Sequence, residues 1–225
     1  MTFCIFTLSS CGSGDASCMQ KIQAGFRSPF LPILLLVIVL GLDSLAQAEG
    51  PGLIVGGLLD EPAHLATAAL ILTALAGPEW LLSHLRLTSS AMAASMAIDI
   101  DHIPLYAHVP HIAVDGGRPF THSAVTVMVL ALLAFAVRRN QTIFLGFSAG
   151  VALHFARDVA TGPGLSLWWP LSDKRIEVQY SAYILGLCAL VVVAILRSVD
   201  QWHEPSPAEV DDEPTQSIDA AKNGR

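Results

Sequence analysis

The sequence predicts an all-α membrane protein: a polytopic helical bundle of about six helices forming one domain, with a metal site at helix ends on one side. Three observations carry this. Of 225 residues, 53% are hydrophobic and only 14% are charged, and the mean hydropathy is +0.56, a balance that excludes a disordered chain or a nucleic-acid-coating protein. The apolar residues are gathered into discrete runs. The ionisable residues of the apolar region stand at the ends of those runs. The formal charge of −7 is also lopsided, because the segment after Arg197 carries about −5 of it and residues 1–197 are almost neutral.

In chain order, residues 1–28 read as a poorly ordered extension, and their Cys4, Cys11 and Cys18 form no zinc-type spacing. The first run, Pro29–Leu42, follows Lys21 and Arg27 and precedes Ala46-Gln47-Ala48, the three parts of a signal peptide. A retained first helix fits the same residues and is preferred, since more apolar segments follow. Further runs occupy about Ala63–Ala76, Leu81–Ile98, Ser123–Val137, Thr142–Phe155 and Tyr180–Leu196. Several fall short of the ~20 residues that cross ~30 Å of hydrocarbon, so the helices are expected to extend through their polar ends. Gly77-Pro78, Arg138-Arg139-Asn140-Gln141 and Thr161-Gly162-Pro163-Gly164 punctuate the series. The membrane domain is thus residues 29–197, and the acidic, Pro205-, Pro207- and Pro214-containing segment 198–225 is expected to be a disordered tail. Cys188, alone in an apolar run, reads as a small hydrophobe.

Six alternating helices put the ends with Lys21/Arg27, Gly77-Pro78, Arg138/Arg139 and Arg197 on one side. That side is assigned to the cytoplasm by the positive-inside rule. The opposite ends bring Glu61/His64, Asp99/Asp101/His102, His122 and His154/Asp158 together on the extracytoplasmic side.

Each stretch has a chemical reading beside a bland one. Asp60-Glu61-Pro62-Ala63-His64 reads as a helix start, with Asp60 as cap and Pro62 in the first turn; the plain alternative is a dipole-favouring acidic start and an interfacial histidine. Asp99-Ile100-Asp101-His102 closes a helix where the dipole favours cations, so a bound divalent ion would remove the repulsion; a solvated helix end is the alternative. His122 is expected in the first turn of a helix capped by Thr121 or Ser123, where a neutral imidazole is favoured. Arg118 beside it either binds an anion or snorkels. His154 and Asp158, four apart on one helix face, suit two ligands of one metal or a simple hydrogen bond. Co-location decides, since charged groups at a membrane are costly and mark functional sites. His84, His108, His111 and His203 fit no pattern and read as surface or loop residues. Gly146-Phe147-Ser148-Ala149-Gly150 matches the serine-hydrolase string, but no strand precedes it, and Gly146-x-x-x-Gly150 reads better as a helix-packing motif.

The ordered set DEPAHLAT, DIDH, RPFTHS and HFARD…WWPLS resembles the YdjM-like family of inner membrane-associated, LexA-binding, metal-dependent hydrolases, over roughly residues 58–197. The family's hallmarks fall on His64, Asp99-Ile100-Asp101-His102, Thr121-His122-Ser123, His154 with Asp158, and Trp169-Pro170-Leu171. Ala97-Ile98 departs from the pattern, which usually has a proline just before the first aspartate. The family is in turn similar to zinc-dependent phospholipase C and P1-type nucleases, and this implies phosphoester hydrolysis in a bacterial-type inner membrane.

The resulting expectation is one or two Zn²⁺ ions, with Mn²⁺ as the other candidate, held by His64, His122, His154, Asp158 and one or both of Asp99 and Asp101. Such an ion would lower the pKa of a bound water towards ~7. Glu61 or the spare aspartate, Asp101 among them, is the candidate general base. Arg118 and Arg157 are candidates to neutralise a phosphate, with the Trp168-Trp169 loop bordering the pocket at headgroup depth. The partners expected are the bilayer and a lipid headgroup or lipid-linked phosphoester, with no direct nucleic-acid contact. Two other classes compete: a proton-coupled transporter using the same side chains as a relay, and a non-catalytic scaffold with a structural metal.

Overall fold

The computed structural model describes residues 25, 27–49, 53–106, 113 and 118–203. The expectations for Cys4, Cys11, Cys18, His108 and His111, and for most of the terminal extension and acidic tail, lie outside the described residues. Among those described, the fold is all α-helical, with two isolated β-bridges and no strand.

The helices are α1 (Phe30–Glu49), α2 (Leu53–Ala76), α3 (Pro78–Ser83), α4 (Leu85–Ala97), α5 (His102–Tyr106), α6 (Ala124–Ala136), α7 (Gln141–Thr161) and α8 (Tyr180–His203), with 3₁₀ turns at Ile98–Asp101 and Arg138–Asn140. Four apolar helical stretches are long enough to cross a bilayer: Phe30–Ala48, Val55–Ala76, Arg138–Thr161 and Tyr180–Val199. Four of the apolar runs do extend through polar ends, as the hydrocarbon thickness requires, whereas α4 and α6 stop at 13 residues each. α8 continues beyond Arg197 to His203.

Two boundaries differ from the sequence reading. α2 begins at Leu53, so Asp60 is no cap; it and Pro62 lie inside the helix. The apolar residues ahead of Asp60 continue the helix at the loss of the one backbone bond that proline cannot donate. The third run is broken at His84, whose backbone N–H bonds to the Trp80 carbonyl and whose ring stacks on Trp80 at 4.2 Å.

Packing divides the bundle into two linked halves. Val39 of α1, Ala66 and Leu70 of α2, and Tyr183, Leu187 and Val191 of α8 form one core. Ala94 of α4, Val151 and Phe155 of α7, and Leu165 form the other. The glycine motif of α7 faces α4: a Cβ on Gly146 would stand 2.6 Å from the Leu87 carbonyl oxygen, and one on Gly150 would collide with that of Ala91. Ser148 is buried and donates to the Val127 carbonyl of α6 at 2.9 Å. The motif therefore packs helices together, as small residues do in membranes. Phe30, Leu34, Leu132, Phe135, Leu185 and Leu196 remain exposed on the outside, which is the surface hydrocarbon chains would cover. Cys188 is a free thiol on this outer face.

One end of the bundle joins Arg27 to Glu79 and Arg197 Nη1 to the Leu75 carbonyl at 2.8 Å. The basic ends therefore gather together. The opposite end carries the site.

Candidate metal centre

Four elements supply the side chains. α2 contributes Asp60, Glu61 and His64; the 3₁₀ turn after α4 contributes Asp99 and Asp101; the turn before α6 contributes Arg118 and His122; α7 contributes His154 and Asp158. His64, His154 and Asp158 are fully buried, and His122 nearly so.

Their polar atoms converge. His154 Nε2 lies 3.1 Å from Asp158 Oδ2 and 3.3 Å from Asp99 Oδ1. His122 Nε2 is 3.1 Å from the same Asp99 oxygen and 3.6 Å from Asp158 Oδ2. His64 Nε2 is 3.3 Å from Asp158 Oδ1 and 3.5 Å from Asp60 Oδ2, and its ring stacks on that of His154 at 3.7 Å. All six predicted metal-ligating residues thus belong to one cluster. Asp101 sits at its rim, 3.3 Å from His122 Nδ1, and accepts a hydrogen bond from Thr121.

The Nδ1 nitrogen of His154 bonds to the Ser95 carbonyl at 2.9 Å. A carbonyl can only accept, so Nδ1 carries the proton and Nε2 turns its lone pair into the cluster, as in metal-ligating histidines. His64 Nε2, His154 Nε2 and Asp158 Oδ1 are buried without a hydrogen-bond partner, at a cost of about 1–3 kcal/mol each. Ligand atoms around a tetrahedral ion at 2.0–2.1 Å stand about 3.3 Å apart, close to the separations found here. The residues therefore fit a Zn²⁺-type ion. Three overlapping donor sets occur, each with ligand atoms within 4.8 Å of one another: Asp99/Asp101/His102/His122, His64/His154/Asp158 and Asp60/His64/Asp99.

Electrostatics agree with a cation-seeking site. Burial pushes Asp99 towards its neutral form, but the adjoining imidazoles of His102, His122 and His154 outweigh it and hold the carboxyl far below the usual range. Asp101 is held at about 2 by the same opposition, with His102 and His122 prevailing over burial. Burial disfavours charge on His102, yet Asp101 and Asp99 raise it to about 9.

Three local expectations are corrected. His122 precedes α6 instead of occupying its first turn, because Ser123 is the N-cap residue, and neither hydroxyl caps: Thr121 bonds Asp101, and Ser123 Oγ is buried without a hydrogen bond. The turn is closed instead by the His122 N–H to the Pro119 carbonyl at 3.0 Å. Arg157 does not face a phosphate site. It is buried, with Nη2 2.6 Å from Asp43 Oδ1 and 2.9 Å from Asp60 Oδ1. Arg118 does face the centre, bonding Asp158 Oδ2 at 2.7 Å, and the missing side chain of Gly162 makes room for its guanidinium. Glu61 is half-buried against Asp99. Trp169 packs on Phe120 at 5.5 Å, and the Leu167 carbonyl accepts the Ala124 N–H at 2.8 Å, so the tryptophan loop covers the start of α6.

Sequence reasoning passed over Asp43, read Asp60 only as a cap, and brought His102 to this end of the bundle without giving it a ligand role. Asp43 had a legible signal, a carboxylate on an apolar helix. His102 lay within a recognised stretch, and its 3.0 Å approach to Asp101 becomes visible only in three dimensions.

Fold and cluster together define a multi-pass membrane protein with a buried histidine–carboxylate centre able to hold a divalent cation. The model of the YdjM inner membrane protein family matches residues 59–210, about two thirds of the chain. The chain belongs to that family. No curated protein and no solved structure matches it.

Proposed function

We propose that the protein is a membrane-bound, metal-dependent hydrolase acting on a phosphoester, of which a lipid headgroup or lipid-linked phosphate is the natural class. The observation that carries this reading is the convergence of His64, His122 and His154 on the carboxylates of Asp99 and Asp158. The acidic and imidazole donor set suits Zn²⁺, with Mn²⁺ next. The sharing of Asp99 between two donor sets leaves room for one or two ions. When bound, such an ion makes a water ligand acidic near neutral pH and polarises a phosphoryl oxygen.

The chain's own residues supply the rest. In this reading Glu61, which neighbours Asp99, serves as the general base for the attacking water. The water oxygen bonds to phosphorus, the phosphorus–oxygen bond to the leaving group breaks, and the proton held by Glu61 passes to the departing alkoxide. Arg118, partly exposed at the mouth of the site, neutralises charge on the phosphate. Asp101, anchored by Thr121 and His102, orients His122 from the far side.

Metal analysis of detergent-purified protein, paired with hydrolysis of a generic phosphodiester, tests the reading. Wild type is expected to hold zinc and turn over, and His154→Ala to lose both. Zinc without turnover assigns the site a structural role, and a metal-free wild type points to a proton relay.

A further inference from the structure

The histidine–carboxylate cluster lies deep in the bundle. At a rise of about 1.5 Å per residue, His64 stands about 18 Å from Ala76, where α2 ends, and His154 about 20 Å from Gln141, where α7 begins. α4 and α6, of 13 residues each, reach the same height. Contacts fix that register, because Gly150 meets Ala91 and His154 meets Ser95. Arg138 and Arg139 beside α7, and Arg197 beside Leu75, mark the level at which hydrocarbon begins at the basic end. The slab is ~30 Å thick, so the cluster sits about 10 Å inside its other boundary, below headgroup depth. α2 runs on from His64 to Leu53 across that remainder.

At that depth the cluster is edged by apolar side chains. Ile100 and Ile103 flank Asp101 and His102, and Asp101 is tied through Thr121 to the segment that carries Phe120. The Phe120 ring packs on Trp169, and the next turn, closed by the Leu171 N–H to the Trp168 carbonyl at 2.8 Å, presents Trp168 and Leu171. Ile100, Ile103, Phe120, Trp168 and Leu171 are all exposed, Leu171 at 90%. Two backbone bonds between Leu165 and Ile176, at 3.0 and 2.8 Å, pin the base of this loop. Non-helical backbone is tolerated inside a bilayer where its polar groups are satisfied within the protein. The rim also continues along α6 into the exposed Leu132 and Phe135. Whatever covers that helix covers the rim, and in a membrane protein that is acyl chain.

We propose that this rim is a lateral portal, through which a bilayer phospholipid enters with its acyl chains against Ile103, Trp168 and Leu171 and its phosphate towards Arg118. The place of the phosphate rests on the hydrolase reading. The depth of the rim does not.

The full-length protein in lipid nanodiscs tests both parts. With Trp80, Trp169 and Trp202 replaced by phenylalanine, Trp168 is the single indole. Its emission is expected to be quenched by lipids brominated on their acyl chains and to be untouched by aqueous iodide. Ile103→Trp, in the same background with Trp168→Phe, gives a second reporter from another element, and a melting temperature equal to wild type qualifies each. Unaltered protein supplies a measurement that needs no substitution: dioleoyl phosphatidylglycerol held in the disc is expected to be hydrolysed at least about ten-fold faster than its water-soluble deacylated diester at equal concentration. Iodide quenching of the reporters, shielding from both quenchers, or equal turnover of the two diesters overturns the portal. Bromine quenching with neither diester hydrolysed overturns the hydrolase reading and leaves the rim's place in the hydrocarbon standing.

Discussion

The imidazole of His154 is held by a 2.9 Å hydrogen bond from its Nδ1 to the backbone carbonyl of Ser95, joining α7 to α4 beside the histidine–carboxylate cluster. The bond comes from main chain, so no side-chain substitution at residue 95 removes the acceptor. It fixes both the tautomer and the ring orientation.

His154→Gln is accordingly expected to keep the helix contact but lose the Nε2 donor, and to lower zinc affinity by about 100-fold or more. Competition with a chromophoric chelator measures this. An affinity equal to wild type would remove His154 from the ligand set.

The α4–α7 contact predicts a contrast between two glycines. Gly150→Ala drives a methyl into the Ala91 carbonyl and is expected to destabilise the bundle by about 1–3 kcal/mol. Gly186→Ala, on α8 with nothing within 4 Å of the added atom, is expected to stabilise by up to ~1 kcal/mol through helix propensity. Reversible unfolding in detergent reads both, and equal effects would refute the close-packing role.

The Arg157 clamp predicts non-additivity. Arg157→Met strands Asp43, which is buried at 6% exposure, and should cost about 3–5 kcal/mol. Adding Asp43→Asn to it is expected to recover part of that loss, since the stranded charge is gone. A double-mutant cycle gives the coupling, and strict additivity would show that the pair is not one unit.

Metal uptake should release protons, because imidazoles and carboxylates bind cations only in their deprotonated forms. Zinc titrations in two buffers of different ionisation enthalpy are expected to give different apparent heats, with affinity falling as the pH is lowered. Identical heats would contradict ligation by these side chains.

Much of this architecture could be read from the residues. The apolar runs became helical because hydrocarbon leaves the backbone little alternative, although the third was split in two at His84. The spacing of His154 and Asp158 placed both on one face of α7, and helix alternation brought His64, Asp99 and His122 to the same end. What failed was local. Pro62 resembled a helix start because proline is favoured there, yet the apolar Leu53–Leu58 stretch carried α2 through it. Thr121 and Ser123 looked like caps because a cap is a local property, whereas a carboxylate from another element took Thr121. Arg157 looked available because its partners, Asp43 and Asp60, lie 114 and 97 residues away, beyond any spacing rule.

That separation bears on how the chain is made. The carboxylate on the first span enters the bilayer long before the guanidinium that neutralises it has been synthesised. At ribosomal speeds of about 5–20 residues per second, the wait is on the order of ten seconds. During it, an aspartate near the end of a nascent span carries an insertion penalty of up to ~3 kcal/mol. The penalty is removed only when α7 brings the Arg157 guanidinium to Asp43.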